Sequence, residues 1–441
     1  MKGLPSFLGV LRRRNFSVFA LAQMVSQFGD RLNNMALIGL IGAKAAGSTF
    51  AFTQIAVFAA LPVIIVGPIS GIIVDRFNRK WVLVVVDTIR TLVVALIPTL
   101  FFLTGNLLLV NLAIFTIFLL GLLFNSAKMS IVPNLVAGKQ EYLSANAVAN
   151  FIGRFATFLG LLLGGFVVEF FLWQRIGIEG WQAGFYVDAA TYLFSAIFLA
   201  TLSLPLRALK PKEFQEKNGS TKPLPTEEKS PFRKGFEDLK AAMALVRRRR
   251  LIRLVYGSIL LTTLFLGAAY SLDIMLAQQV FGYGTKGVGI LGSALGVGLI
   301  AGALASAKWG KRAGEMNMMA ISLVSLGILM ALSAFTSEFK LFLVLTVVAG
   351  FFLSGLMISQ DTLFHRMVPA SYRGRIFSAK EIIFGGGFMA FTVVLGSLGE
   401  LLKLFMNYQT GLRSMLVACG GLIVVSVLVF YLRFRRSKRR G

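Results

Sequence analysis

Gly71-Ile72-Ile73-Val74-Asp75-Arg76-Phe77-Asn78-Arg79-Lys80 joins two apolar blocks, 50–74 and 81–103. Each block is long enough to cross the roughly 30 Å hydrocarbon core of a bilayer, which takes about 20 helical residues. The join carries one carboxylate and three cations. It therefore reads as a tight turn between two crossings, with Arg76, Arg79 and Lys80 holding it at one membrane face. Gly71 allows two helices to approach closely. Asp75 sits at a helix end, where a carboxylate can meet a neighbouring helix N-terminus or an arginine.

The pattern repeats along the chain. Its 441 residues are 56% hydrophobic and 15% charged, with a mean hydropathy of +0.77; a soluble domain is about 45–50% apolar. Helical spans are expected at 16–43, 50–74, 81–103, 107–127, 145–171, 184–204, 251–277, 287–307, 316–335, 341–363, 378–402 and 411–432. These blocks are too long for barrel strands and lack period-two alternation. The expected fold is an all-α polytopic membrane protein with twelve transmembrane helices.

A net charge of +26 would point to nucleic acid in a soluble protein. Here the basic residues lie between apolar blocks and at the ends, so they report topology and no nucleic-acid partner is expected. With the N-terminus in the cytoplasm, most Lys and Arg residues fall on the cytoplasmic side. Both ends are basic: Arg12–Arg14 at one, and Arg433, Arg435, Arg436, Lys438, Arg439 and Arg440 at the other. That requires an even number of crossings, with both termini cytoplasmic in a multi-pass protein of the cell (inner) membrane. No removable signal peptide is expected, because no small-residue cleavage site follows a short apolar stretch.

The single cysteine, Cys419, excludes a disulfide within the chain, and the single histidine, His365, excludes histidine-cluster metal chemistry. No metal and no cofactor are expected. With no phosphate-binding glycine loop and no soluble domain large enough for catalysis, the chain does not read as an enzyme.

The polar connection 205–250 divides the spans into an N-terminal bundle, 1–204, and a C-terminal bundle, 251–432, which is followed by a basic tail, 433–441. Leu209–Pro231 is rich in Lys, Glu, Pro and Ser and reads as a disordered linker. Phe232, Phe236, Leu239, Met243 and Val246 then recur at helical spacing. They fit an amphipathic helix, either on the inner leaflet with Arg247–Arg250 at anionic headgroups or against the bundle. A trace of internal repetition supports two pseudo-symmetric halves: Val132-Pro133 precedes Ser144-Ala145, and Val368-Pro369 precedes Ser378-Ala379.

With twelve spans and a central linker around it, the 71–80 loop resembles the signature G-x-x-x-D-R-x-G-R-K/R of the major facilitator superfamily. Only Asn78 departs from it, where glycine is usual; Asn tolerates a left-handed turn, so the loop shape is expected to be kept. The resemblance implies the major facilitator fold, two six-helix bundles working by alternating access, with Asp75, Arg76 and Arg79 as gating residues. Val368-Pro369-Ala370-Ser371-Tyr372-Arg373-Gly374-Arg375, Gly29-Asp30-Arg31-Leu32 and the basic segment Phe236–Arg253 are similar to a branch that includes macrolide and siderophore exporters. Phe28-Gly29-Asp30 and, in part, Ser126-Ala127-Lys128 are similar to segments of lysophospholipid transporters.

Ionisable groups within a span cost about 2.5–3.5 kcal/mol and are functional candidates. Gln23, Gln27, Asp30 and Asn34 lie at offsets of four, three and four, on one helical face. Such a stripe belongs against a substrate or proton cavity or in a buried hydrogen-bond network. Arg31 lies about 100° round the helix and needs its own acceptor. Asp87 and Arg90, three apart, are expected to pair structurally near the cytoplasmic end of span three. Arg154 has no acidic neighbour in sequence and is the candidate for an inter-helix pair or an anion contact. Asp188 and Asp273 lie nearer outer ends, and His365 reads as a loop residue. Gly160, Gly164 and Gly165 form a small-residue packing face in span five, where related exporters have G-P-x-x-G-G and this chain has Leu161 for the proline. Gly385, Gly386 and Gly387 supply flexibility or close packing in span eleven. Span four lacks the arginine common in drug/proton antiporters.

The expected function is proton-coupled export of an amphipathic small molecule, at a site near the midplane between the two halves. Asp30 or another buried carboxylate is the expected proton carrier. The alternatives are a lysophospholipid transporter or flippase, and a non-transporting membrane sensor or scaffold. The expected partners are membrane lipids, a small-molecule or lysolipid substrate and protons, with the chain acting as a monomer.

Overall fold

The computed structural model describes residues 7–45, 48–136, 139–203, 250–367 and 370–438. Among them every regular element is helical. The long helices are α1 (Arg14–Lys44), α2 (Thr49–Asp75), α3 (Arg79–Thr104), α4 (Leu107–Ile131), α5 (Lys139–Val168), α6 (Gly180–Ala200), α7 (Arg250–Ala268), α8 (Gly284–Ala313), α9 (Glu315–Ser333), α10 (Phe339–Met367), α11 (Ala370–Leu402) and α12 (Tyr408–Lys438). α7 continues through two wider π-helical turns, Ala269–Asp273 and Leu276–Val280. The expected linker and amphipathic helix lie outside the described residues.

Among the described residues, eleven helices are long and apolar enough to cross a membrane. α1 is the remaining one. Its 31 residues reach roughly 46 Å at 1.5 Å per residue, but Gln23, Gln27, Asp30, Arg31, Asn33 and Asn34 dilute its apolar character. The twelfth crossing is thus carried by length, and its polarity marks α1 as a helix with an interior to face.

Local chemistry sets several helix ends. Asn106 caps α4 by accepting from the Leu108 amide at 2.8 Å. Gly105 closes α3 in the left-handed region, φ 61°, and its amide bonds to Phe101 O, a conformation that favours glycine. Glu179 and Gln182 form a reciprocal capping box at the start of α6.

α3 shows how the bilayer inverts the usual arrangement. It buries Leu83, Val86, Asp87, Arg90, Val94 and Ile97, while Val85, Leu92 and Leu96 are exposed. An exposed apolar stripe of this length is a liability in water and is at home in lipid. The charges sit on the protein side.

The described contacts fall into two compact units, Met1–Leu40 with Leu61–Lys234, and Ile41–Ala60 with Gly235–Gly441. In the first, α3 packs along α4 and α6, above an apolar cluster that includes Phe16, Phe19, Leu83, Phe124 and Leu199. In the second, α8 lies along α10, α9 along α10 and α12, and α7 along α11. The α8–α10 contact is backbone to backbone. A Cβ on Gly298 would stand 2.9 Å from Gly350 Cα and from Phe351 N, and one on Gly302 would stand 2.9 Å from Phe351 Cα. This is the small-residue approach that lipid-embedded helices use in place of hydrophobic burial.

Candidate functional site

The polar residues of α1, α3 and α6 meet within the first unit. On α6, Asp188, Thr191, Tyr192 and Ser195 share one face, and all are buried. On α3, Asp87 and Arg90 lie one turn apart near the middle of the helix, deeper than the end position expected for a purely structural pair. α1 brings Asp30 between them.

Arg90 is the hub. Its side chain is 5% exposed; Nη1 lies 3.6 Å from Asp87 Oδ1 and 4.0 Å from Asp30 Oδ1. Nη2 donates to Ile117 O of α4 at 3.4 Å. The guanidinium carbon stands 5.1 Å from the Tyr192 ring centre and 5.5 Å from that of Phe124, within cation–π range. Gly121 of α4 leaves the space that Nη2 occupies, where a Cβ would collide with it. Tyr192 Oη donates to Asp30 Oδ1 at 2.5 Å. Asn33 Nδ2 donates to Asp188 Oδ2 at 2.8 Å, and Thr191 Oγ1 donates to Asp188 O at 2.7 Å. Lys128 of α4 is near enough for its charge to act on Asp30 and Arg90.

Two carboxyls, Asp87 and Asp30, thus flank one guanidinium, a third, Asp188, is near enough for its charge to act on it, and the three differ in access. The Asp87 side chain is 0% exposed and that of Asp30 is 39% exposed. Asp188, expected nearer an interface, is fully buried. Removing a carboxylate from water is costly unless charge or hydrogen bonds compensate it. Tyr192 donates to Asp30 and Asn33 to Asp188, while Asp87, both of whose oxygens are sealed without a hydrogen bond, has the charge of Arg90 at 3.6 Å.

Gln27 of the α1 stripe, with Arg31 and Met35, packs on α5. Gln27 Nε2 donates to Gln23 Oε1 at 3.1 Å, and Gly153 makes room for Gln27. A Cβ on Gly160 would stand 2.7 Å from Arg31 Cβ and 2.8 Å from Phe28 O, and one on Gly164 would stand 2.9 Å from Met35 Cγ. Arg31 Nε is buried without a hydrogen-bond acceptor. Asn33, rather than Asn34, joins the charge network; it is three residues from Asp30, a spacing that was available to sequence reasoning. Tyr192 was not foreseen, since a tyrosine in an apolar span gives no sign of its partner. The side chains of Arg154, His365 and Asp75 lie outside those described, as does that of Arg373.

The 71–80 loop differs locally from its expected shape. Asn78 has φ −67° and ψ 115°, so it does not make a left-handed turn. It caps α3 instead, its Oδ1 accepting from the Lys80 amide at 3.0 Å. Lys80 Nζ donates to Ala200 O at 2.7 Å and Leu202 O at 2.8 Å, placing a cation on the open carbonyls at the end of α6. Arg79 Nη1 donates to Ser130 O of α4 at 3.4 Å, and Arg76 is exposed. Asn78→Ala is expected to lower stability by about 1 kcal/mol and Asn78→Gly by only a few tenths. Thermal unfolding in detergent checks this; equal losses in the two variants would contradict the capping role.

The second unit holds polar contacts that sequence reasoning did not anticipate. Gln360 Nε2 donates to Ser258 Oγ and Thr262 Oγ1, both at 3.0 Å. Lys380 pairs with Asp361 at 2.5 Å. Of the span-eleven glycines, Gly387 packs on Thr263 of α7 and a Cβ on Gly386 would meet nothing within 4 Å.

Known proteins show the same organisation. The family model of the Major Facilitator Superfamily matches residues 19–314 and 285–441. The uncharacterized MFS-type transporter YkuC of Bacillus subtilis (strain 168) is 24% identical over 430 residues, covering 96% of this chain and 93% of that protein. YfiS of the same organism, also described as an uncharacterized MFS-type transporter, is 24% identical over 415 residues, 92% of this chain and 90% of its own length. Among solved structures, a point mutant of the nucleoside transporter NupG superposes with a TM-score of 0.71 at 16% identity, over 95% of this chain and 99% of that one. A bacterial homologue of the human lysosomal transporter Spinster, inward-facing and unoccupied, superposes with a TM-score of 0.69 at 14% identity, over 95% and 96% of the two chains. The nearly complete signature loop, the helical fold of the described residues and the family match over residues 19–441 lead to one assignment: this chain belongs to the Major Facilitator Superfamily of membrane transporters.

Proposed function

We propose that the chain exports an amphipathic small molecule across the cell membrane in exchange for protons, by alternating access, with both termini cytoplasmic. The observation that carries this reading is Asp30. Its side chain is 39% exposed, while the carboxyls it is wired to, through Tyr192 and Arg90, are sealed. A proton arriving from accessible water reaches Asp30 first. Once protonated, Asp30 no longer competes for Arg90, which is left to Asp87. The pairing between α1 and α3 changes with it, so the proton is coupled to the position of a helix. The basic ends and loops support the orientation.

The test is transport in proteoliposomes under an imposed pH gradient, with a panel of amphipathic dyes and lysolipids. Asp30→Asn is expected to reduce gradient-driven movement at least about tenfold, the scale of a lost coupling of 1.4 kcal/mol or more. Full gradient-driven transport by that variant would rule out Asp30 as the proton carrier.

A further inference from the structure

Asp273 of α7 takes no part in the network around Arg90, which belongs to the other unit. Its Oδ1 is sealed and accepts no hydrogen bond. The residue as a whole is only part-buried. Other carboxylates of this unit have a cation at hand: Asp361 has Lys380 at 2.5 Å, Glu315 has Arg366 at 2.8 Å and Glu400 has Lys403 at 2.7 Å. Asp273 has no cation within 4.0 Å among the described residues. A carboxylate within a span that lacks a protein counter-ion is stabilised by a proton or by a positive charge from elsewhere.

The backbone at this point is also unusual. Asp273 ends the π-helical turn Ala269–Asp273, and a second π turn begins three residues later at Leu276. Such widened turns are rare overall and frequent at functional sites. The same stretch of helix is apolar and aromatic. Leu272 and Met275 are buried, and Tyr270, in the same turn, meets Phe388 of α11 edge-on at 5.7 Å. An unpaired carboxylate on an apolar and aromatic stretch of helix is the chemistry that receives a lipophilic cation.

We propose that Asp273 contacts the positive centre of the transported solute, so that the substrates are lipophilic organic cations bearing an ammonium or phosphonium group. This rests on the transport reading above and narrows its substrate class, setting anionic lysolipids aside.

The experiment measures binding to the purified full-length chain in neutral detergent, with tetraphenylphosphonium as the probe and tetraphenylborate as its anionic counterpart of similar size. The wild-type protein is expected to bind the cation at least tenfold more tightly than the anion. Asp273→Asn should weaken cation binding at least tenfold, and Asp273→Glu should retain most of it. The charge preference of the wild-type protein needs no variant, so a misfolded Asp273→Asn does not leave the question open. Equal binding of the two ions, tighter binding of the anion, or undiminished cation binding by a monodisperse Asp273→Asn protein would overturn the proposal. Binding in detergent is independent of turnover. A chain that binds the cation through Asp273 but moves no solute in proteoliposomes would refute the transport reading alone.

Discussion

Arg90→Leu is expected to destabilise the protein by about 3–5 kcal/mol, the usual cost of leaving buried charge without its partner, and to abolish transport. The guanidinium lies 3.6 Å from Asp87 and 4.0 Å from Asp30, and it also occupies the space left by Gly121. Its loss strands Asp87, which is fully sealed. The double variant Arg90→Leu with Asp87→Asn should regain most of the stability, because both members of the ion pair are then gone. It should remain inactive, because Asp30 has lost the charge it competes for. Unfolding midpoints in detergent and gradient-driven uptake in proteoliposomes read the two effects separately. A single variant that unfolds with the wild-type protein would show that Arg90 is not the hub.

The second large effect is steric. Gly298→Leu is expected to cost at least about 3 kcal/mol and to lower the yield of folded protein sharply. The Cβ of the new side chain would fall on the backbone of α10, at Val347 O, Gly350 Cα and Phe351 N. Backbone atoms of a packed helix have nowhere to move, so the α8–α10 contact must open. Gly386→Ala and Gly421→Ala provide the contrast, since a Cβ at either position meets nothing within 4 Å. Those two should be neutral or slightly stabilising, by up to about 1 kcal/mol, because alanine is the better helix former. Melting curves of the three variants side by side test the assignment; a mild Gly298→Leu would mean that the two helices do not cross at these glycines.

Much of the architecture was legible along the chain. A bilayer asks for long apolar blocks and sorts cations to one side, and both requirements act on local composition. The signature loop was legible for the same reason, as a contiguous motif. Even there one local detail went the other way: Asn78 was expected to turn left-handed and instead caps α3, because the amide of Lys80 is within reach of its side chain.

The candidate site was readable only on one helix at a time. The face of α1 with Gln23, Gln27 and Asp30 follows from helical spacing, as does the Asp87–Arg90 pair on α3. Their union does not, because Asp30, Arg90 and Tyr192 are separated by long stretches of sequence and meet only when α1, α3 and α6 pack. Periodicity says which side of a helix is polar, but not which other helix that side will face. Asp188 and Asp273 looked alike in the sequence, each a lone carboxylate in an apolar span. Tertiary packing separated them, giving Asp188 the amide of Asn33 and leaving Asp273 on a widened turn without a counter-ion. Composition and spacing were enough for a membrane-spanning transporter with a polar first helix. Which charges are sealed, which one is part-exposed and which one has no counter-ion among the described residues depended on the three-dimensional packing, since burial and distance are properties of contacts between helices.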